Sequence, residues 1–302
     1  PIFAMKVMCF ALFAAAFNLL LGFGGLLSFG HAAYFGGASY VAAHAAKVWG
    51  LTPELAVLTG TAAAALLGFA IGSLAIRRQG IYFAMVTLAF AQMVYFVAIQ
   101  AEFTGGEDGI QGVPRGDLFG IFSLADNIAL YFFVLAVTFG GILLLYRIVH
   151  SPFGQVLKAI RENEPRAISL GYDVNRYKLV VFTLSATLAG LAGATKSLVF
   201  QLASLTDVHW SMSGEVVLMT LLGGMGTIFG PLVGAGVILR GVGHCYPRGH
   251  LCRRCTDVPG RDNWRAGTLV EKATVNAETG IQSGAVSPRR TYDSQSQPQG
   301  RA

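Results

Sequence analysis

Apolar runs dominate this chain, at a length that a helix crossing a bilayer requires. Seven of them, 3–21, 31–48, 55–76, 80–100, 126–147, 178–202 and 215–239, lie at or near the roughly 20 residues of a spanning helix. Inside hydrocarbon every backbone N–H and C=O needs an internal partner, so runs of this kind predict helices packed side by side. Charged residues are only 13% of the chain, about half the share in soluble domains. The expected fold is all-α, a polytopic transmembrane helix bundle of about seven spans over residues 1–239. The run 31–48 is short and interrupted by glycine, and is the weakest of the seven. Lys6 to Ala16 has the look of a signal peptide, but the apolar pattern runs on without a clean cleavage site and further spans follow. Pro1 stands where a methionine would be expected, so the start reads as incomplete or processed.

Charge orders the spans. Residues 1–239 carry 12 basic and 11 acidic side chains, whereas 240–302 carry 10 and 5. The near-neutral body offers nucleic acid no basic face, and the lipid bilayer is its expected surroundings. Arg77 and Arg78 mark one turn as cytoplasmic, and the acidic loop 101–125 (Glu102, Glu107, Asp108 and Asp117 against Arg115) is expected outside. The polar island Ser151–Lys178, with Lys158, Arg161, Arg166, Arg176 and Lys178, then falls inside again.

Glycine is placed in two ways. Gly60, Ala64, Gly68 and Gly72 recur every four residues, as do Gly226, Gly230 and Gly234. Small residues at that spacing let helix backbones approach closely, which predicts packing seams. Elsewhere glycine clusters, in Gly22–His31 and in Gly223–Pro231. Interrupted segments in two parts of a transporter point to its translocation path, and unwound backbone at membrane depth survives where it is buried or lines a cavity. Gly24, Ser28, Gly30, His31, Gly223, Gly224, Gly226, Gly230 and Pro231 are the candidate path residues on that reading. A simple turn between two spans is the equal alternative for Gly22–Gly30.

The island is patterned rather than merely polar. Ser151-Pro152 starts a helix, with proline in the first turn. Phe153, Val156, Leu157 and Ile160 fall on one face, with Lys158, Arg161 and Glu162 elsewhere. Pro165 breaks that helix and begins another, Gly171 stops it, and Asn175 is expected to cap the following span. A cytoplasmic coupling loop over 148–177 and an amphipathic helix lying on the lipid surface are both compatible with these residues.

Glu162-Asn163-Glu164-Pro165-Arg166-Ala167-Ile168-Ser169-Leu170-Gly171 resembles the coupling segment of bacterial ABC importer permeases, whose E-x-x-A-x-x-x-G core falls on Glu164, Ala167 and Gly171. The stretches Asn18–His31, Gln79–Phe90 and Gly223–Ala235 occur in the same order as in the M-type permease subunit of branched-chain amino acid (leucine, isoleucine, valine) uptake systems, which the chain is similar to over most of residues 10–239. The resemblance implies a multi-pass protein of the bacterial inner membrane without catalytic residues, cofactor or metal. It implies as partners a second permease subunit, two ATP-binding subunits and a periplasmic or lipid-tethered amino-acid-binding protein. Glu162, Asn163, Glu164, Ala167, Leu170 and Gly171 would then contact an ATPase. Consistent with this, no G-x-x-x-x-G-K-[ST] phosphate loop is present. A urea or short-chain amide permease and an ion-coupled carrier are the alternatives, the latter disfavoured by spans almost free of acidic residues.

Relatives of that family continue with further apolar residues after the Gly-Pro-x-x-Gly-Ala segment. Here the pattern ends at Leu239, and 240–302 reads as a polar, basic, disordered tail, by expectation a shifted frame or a foreign C-terminus. Cys245, His250, Cys252 and Cys255 fit no standard zinc spacing. Lys196 lies 18 residues beyond Lys178, roughly 27 Å along a helix, and is expected to snorkel to the outer interface. His31 is expected to be packed, and Asn18 and Gln92 to line a polar path or bond across helices.

Overall fold

Helix ends here are set by residues whose preferences can be named. A computed structural model of the chain describes residues 2–78, 80–118, 122–124 and 126–245. The tail beyond Cys245, with its cysteines and histidine, lies outside the described residues.

Ten α-helices make up most of the described residues: α1 (Ile2–Asn18), α2 (His31–Lys47), α3 (Pro53–Ala75), α4 (Ile81–Gln100), α5 (Asn127–His150), α6 (Pro152–Glu162), α7 (Glu164–Ser169), α8 (Val174–Phe200), α9 (Trp210–Gly223) and α10 (Gly230–Cys245). Helix α1 runs on into a π-helical turn, Leu19–Phe23. Among the described residues, five helices are long and apolar enough to cross a membrane: Ile2–Phe23, α3, α4, α5 and α8. Run 31–48 forms a helix of 17 residues. Run 215–239 is not one span: α9 stops at Gly223 and α10 starts at Gly230. Gly224 and Gly226 have φ of 97° and 78°, a left-handed backbone that a continuing helix excludes. The expected seven spans therefore resolve into five full-length helices, one shorter buried helix and a broken pair.

Helices α2 and α3 pack on α8, and α1 closes over α8 and α5. The four-residue glycine stripe of α3 is this seam. A Cβ on Gly60 would come 2.7 Å from the Ala38 carbonyl oxygen, and one on Gly72 would come 2.7 Å from Phe182. From the α8 side, a Cβ on Gly193 would overlap the Phe35 carbonyl. The second stripe is not one helix face: Gly226 falls in the break, while Gly230 and Gly234 in the first turns of α10 pack against the end of α9. Around this core α4 and α5 expose Tyr82, Phe96, Phe132 and Phe139, apolar surface that a bilayer would cover.

Among the described residues, four two-residue strands decorate the end away from the island. β1 (Ile110–Gln111) pairs antiparallel with β4 (Leu202–Ala203), and β2 (Asp117–Leu118) pairs with β3 (Phe122–Ser123). The first pairing ties the acidic loop to the segment after α8.

Candidate functional site: two helix breaks and the island

Each turn of the island follows from its capping chemistry. The Ser151 hydroxyl accepts from the Gly154 N–H at 3.4 Å and starts α6. Helix α6 turns Leu157 and Ile160 inward and stacks Phe153 on Tyr177. Asn163 ends α6 and caps α7, accepting from the Arg166 N–H at 3.1 Å. Glu164 is held by Lys178 at 2.8 Å. Ala167 is buried against Ile160 and Val174, which leaves no space there for a larger side chain. Gly171, at φ 87°, reverses the chain. Asn175 does not cap α8; it lies inside the helix, and Asp173 caps instead, accepting from the Arg176 N–H at 3.4 Å. The carboxylate two residues earlier already serves the first free N–H groups. The segment joining the two spans is thus 151–173, shorter at both ends than 148–177.

The outer face of this element stays apolar in part. Ile168, Leu170 and Tyr172 are 57%, 69% and 41% exposed on a segment otherwise rich in charge, an arrangement typical of docking surfaces. Glu162 is exposed beside them.

The inner face of α6 meets the first helix break. Lys158 lies over the Phe23 ring, 5.7 Å from its centroid, and the Arg161 guanidinium donates to the Gly22 carbonyl. The Arg161 stem lies 3.0 Å from where a Cβ on Gly25 would be, and its guanidinium 3.8 Å from a Cβ on Gly226. The side chain, exposed on its outer side, therefore bonds the first glycine cluster and lies beside Gly226 of the second. Asn18 joins them: its amide donates to the Thr227 carbonyl at 2.8 Å and accepts from the Gly226 N–H at 3.1 Å. Gly22 has no room for a side chain, since a Cβ would come 2.7 Å from the Gly226 nitrogen. Two breaks more than 200 residues apart in sequence form one junction beside the island.

The candidate path residues divide between that junction and the interior. Gly24 closes the π-helical turn. Gly223, Gly224, Gly226, Gly230 and Pro231 build the second break, in which Thr227 donates to the Gly224 carbonyl at 2.8 Å. Ser28, Gly30 and His31 lie deeper, where α2 begins. Ser28 accepts from the Gly30 N–H at 3.2 Å, and Thr87 of α4 accepts from the Phe29 N–H at 3.2 Å. Ser213 accepts from the Ala32 N–H at 3.0 Å, so a residue of α9 satisfies the start of α2.

His31 is fully buried against Phe17 and Tyr34 and lies 2.8 Å from Ser185. The Ser185 hydroxyl spends its proton on the Ala16 carbonyl at 2.6 Å, so His31 Nε2 is the donor to Ser185. Ser185 lies 11 residues into α8, about 17 Å along its axis, so a small polar cluster occupies mid-helix depth. Gln92, in contrast, lies exposed on α4.

Lys196 corrects its expectation. Its ammonium pairs with Asp207, the two side chains 12% and 2% exposed, and lies 5.7 and 5.8 Å from the Phe35 and Phe200 rings. A partner across the turn after α8 holds it inward, so it does not snorkel. Sequence reasoning missed Arg161 and Asp207. Arg161 falls on the polar side of α6, which usually means solvent, and Asp207 sits past a turn that gives no pairing signal.

The family described as "Branched-chain amino acid transport system / permease component" matches residues 2–240. The high-affinity branched-chain amino acid transport system permease protein LivM of Salmonella typhimurium is 31% identical over 214 residues, 63% of this chain and 49% of that protein. LivM of Escherichia coli is 30% identical over 210 residues, covering 62% and 48%. The ribose import permease protein RbsC of Escherichia coli is 30% identical over 209 residues, covering 65% and 63%. The chain spans about half the length of the LivM relatives it matches. No solved structure matches. A helix bundle with two converging breaks, matched over residues 2–240, belongs to the permease-component family of branched-chain amino acid transport systems.

Proposed function

We propose that the chain is the membrane-spanning subunit of an ATP-driven bacterial importer of branched-chain amino acids. In this reading it sits in the inner membrane beside a second permease, is driven by two ATP-binding subunits and receives substrate from a periplasmic or lipid-tethered binding protein. The observation that carries the reading is the junction at Arg161. A segment with an exposed apolar face (Ile168, Leu170) follows a helix whose Arg161 bonds the Gly22 carbonyl of one glycine break and lies beside Gly226 of the other. A push on Glu162, Asn163, Glu164, Ala167, Leu170 and Gly171 by a closing ATPase would reach the breaks through α6 alone, without crossing lipid. The breaks then act as hinges, because left-handed glycines and a proline leave several N–H and C=O groups outside any helix.

The test is co-purification. The tagged chain, extracted in mild detergent from its native host, should bring down ATP-binding subunits and a second permease. Gly171→Arg should lose the ATP-binding subunits and keep the permease. A chain that purifies alone would contradict the coupling role. The likeness to a ribose permease makes a pentose the competing cargo; uptake of labelled leucine that excess valine reduces and excess ribose does not would decide for the amino acid.

A further inference from the structure

One face of α2 runs from the middle of the bundle to the end opposite the island, and it changes character on the way. Gly37, Tyr40 and Val41 line a groove of about 390 Å³ among α2, α3 and α4. Further along the helix, His44, Lys47 and Val48 line a second hollow of about 270 Å³. These positions recur at helical spacing, so they form a single stripe. Phe103, just past the end of α4, borders both hollows, and its ring centroid lies 5.9 Å from that of His44.

The groove is apolar. Leu67 of α3 and Phe90, Val94 and Val97 of α4 form its walls, and Gly37 adds no side chain to fill it. Of the two hydroxyls in the wall, that of Thr104 donates to the Ala98 carbonyl at 2.6 Å, and that of Tyr40 is itself buried. Met93 and Val97 at the edge are 62% and 60% exposed, so the groove opens to the surroundings of a membrane-spanning helix. An apolar hollow does not hold water, which leaves a lipid chain or a neighbouring protein to fill it. From Gly37 to Lys47 is about 15 Å of helix, and one leaflet contributes half of a hydrocarbon core of about 30 Å. Trp49, exposed, stands against His44 with ring centroids 5.8 Å apart, the placement of a residue at the membrane–water boundary. The groove therefore has the depth of one leaflet, and the second hollow lies at headgroup level.

Lys47 makes that second hollow positive. Its ammonium donates to the Gln111 carbonyl at 2.8 Å, a neutral acceptor that occupies one of its three donors. No ion pair among the described residues includes it.

We propose that this stripe of α2 is a phospholipid site of the outer leaflet, with one acyl chain in the groove and the phosphodiester on Lys47 beside His44. The chain alone gains little, because lipid tails outside the groove are as apolar as its walls. The charged contact selects the occupant and fixes its depth. The proposal rests on the membrane fold and is independent of the cargo.

The test is photocrosslinking of the protein purified from its native host with its accompanying subunits, in a detergent without phosphate. The probe is phosphatidylglycerol carrying a diazirine near the end of one acyl chain, and adducts are located by peptide mass spectrometry. They should concentrate on Leu67, Ile71 and Phe90. Unlabelled phosphatidylglycerol should compete, and diacylglycerol with the same chains should need about tenfold or more higher concentration, the worth of a hydrogen bond to a charged group. Lys47→Gln should lower capture by a similar factor, and Lys47→Arg should retain it. Gly37→Met, whose new side chain grows into the space beside Leu67, should abolish the groove adducts with an unaltered size-exclusion profile. Adducts spread evenly over the exposed faces of α4 and α5, equal competition by diacylglycerol, or full capture by Lys47→Gln would overturn the site. Labelling that appears only after the other subunits are stripped away would assign the groove to a subunit contact, and would overturn it as well.

Discussion

Glycine serves opposite ends in two regions of this molecule. In the seams among α2, α3 and α8 it removes side chains from continuous helices, so that Gly60 and Gly193 lie against the α2 backbone and Gly72 makes room for the Phe182 ring. In the junction at Gly22 and Gly226 it removes the helix itself, through left-handed φ at Gly25, Gly224 and Gly226. The difference in sequence is plain: a repeat of four inside an unbroken apolar run, against the doublets Gly24-Gly25 and Gly223-Gly224, the second followed by Pro231. The difference in physics is that the seam has one arrangement, fixed by close packing, whereas the junction is held by a few polar contacts that can be exchanged.

Substitutions can break that contrast. The largest effect is expected in the seam. Gly193→Val puts atoms where the Phe35 carbonyl lies and should cost about 3 kcal/mol or more, the upper range for overpacking. Size-exclusion profiles in detergent should show aggregation rather than a monodisperse peak. Next is Asn18→Leu, which removes two hydrogen bonds across the junction at about 1–3 kcal/mol for the groups left unpaired. The variant should still purify, with a lowered melting temperature and uptake reduced far more than abundance. Gly226→Ala puts its new methyl group in ordinary contact with the Gly22 carbonyl and Arg161 and should cost only about 1–2 kcal/mol from its left-handed backbone. A fall in uptake with nearly unchanged melting would mark the junction as a moving part. The smallest effect, of opposite sign, is expected for Gly140→Ala on α5, where nothing lies within 4 Å of the new atom. Helix propensity alone should stabilise it by up to about 1 kcal/mol, read as a small rise in melting temperature.

Much of the fold was legible because lipid leaves few options. Apolar length predicted α1, α3, α4, α5 and α8, and Ser151, Pro152 and Gly171 predicted the breaks of the island within a residue or two. Other features were hidden for physical reasons. Asp173 and Asn175 are both good caps, and only the backbone geometry selects between them. Run 215–239 reads as one apolar span because hydropathy does not register a φ of 97° at Gly224. The glycine clusters were visible, but nothing local says that Asn18 bonds to Gly226 and Thr227, or that Arg161 reaches Gly22. Pairings between distant segments depend on how the bundle closes. The depth of Lys196 followed from helical rise, while its burial depended on Asp207, whose position past a turn no periodicity reports.

The central claim is that Arg161 carries motion from the island to the glycine junction, and one paired measurement tests it. Membrane vesicles holding the transporter with Arg161→Met should retain the ATP-binding subunits and hydrolyse ATP, since the exposed face of α7 is untouched, while leucine uptake per ATP hydrolysed falls about tenfold or more, as for loss of a hydrogen bond from a charged donor. Uptake per ATP equal to that of the unaltered protein would contradict the account, and would mean that the junction is reached by another route.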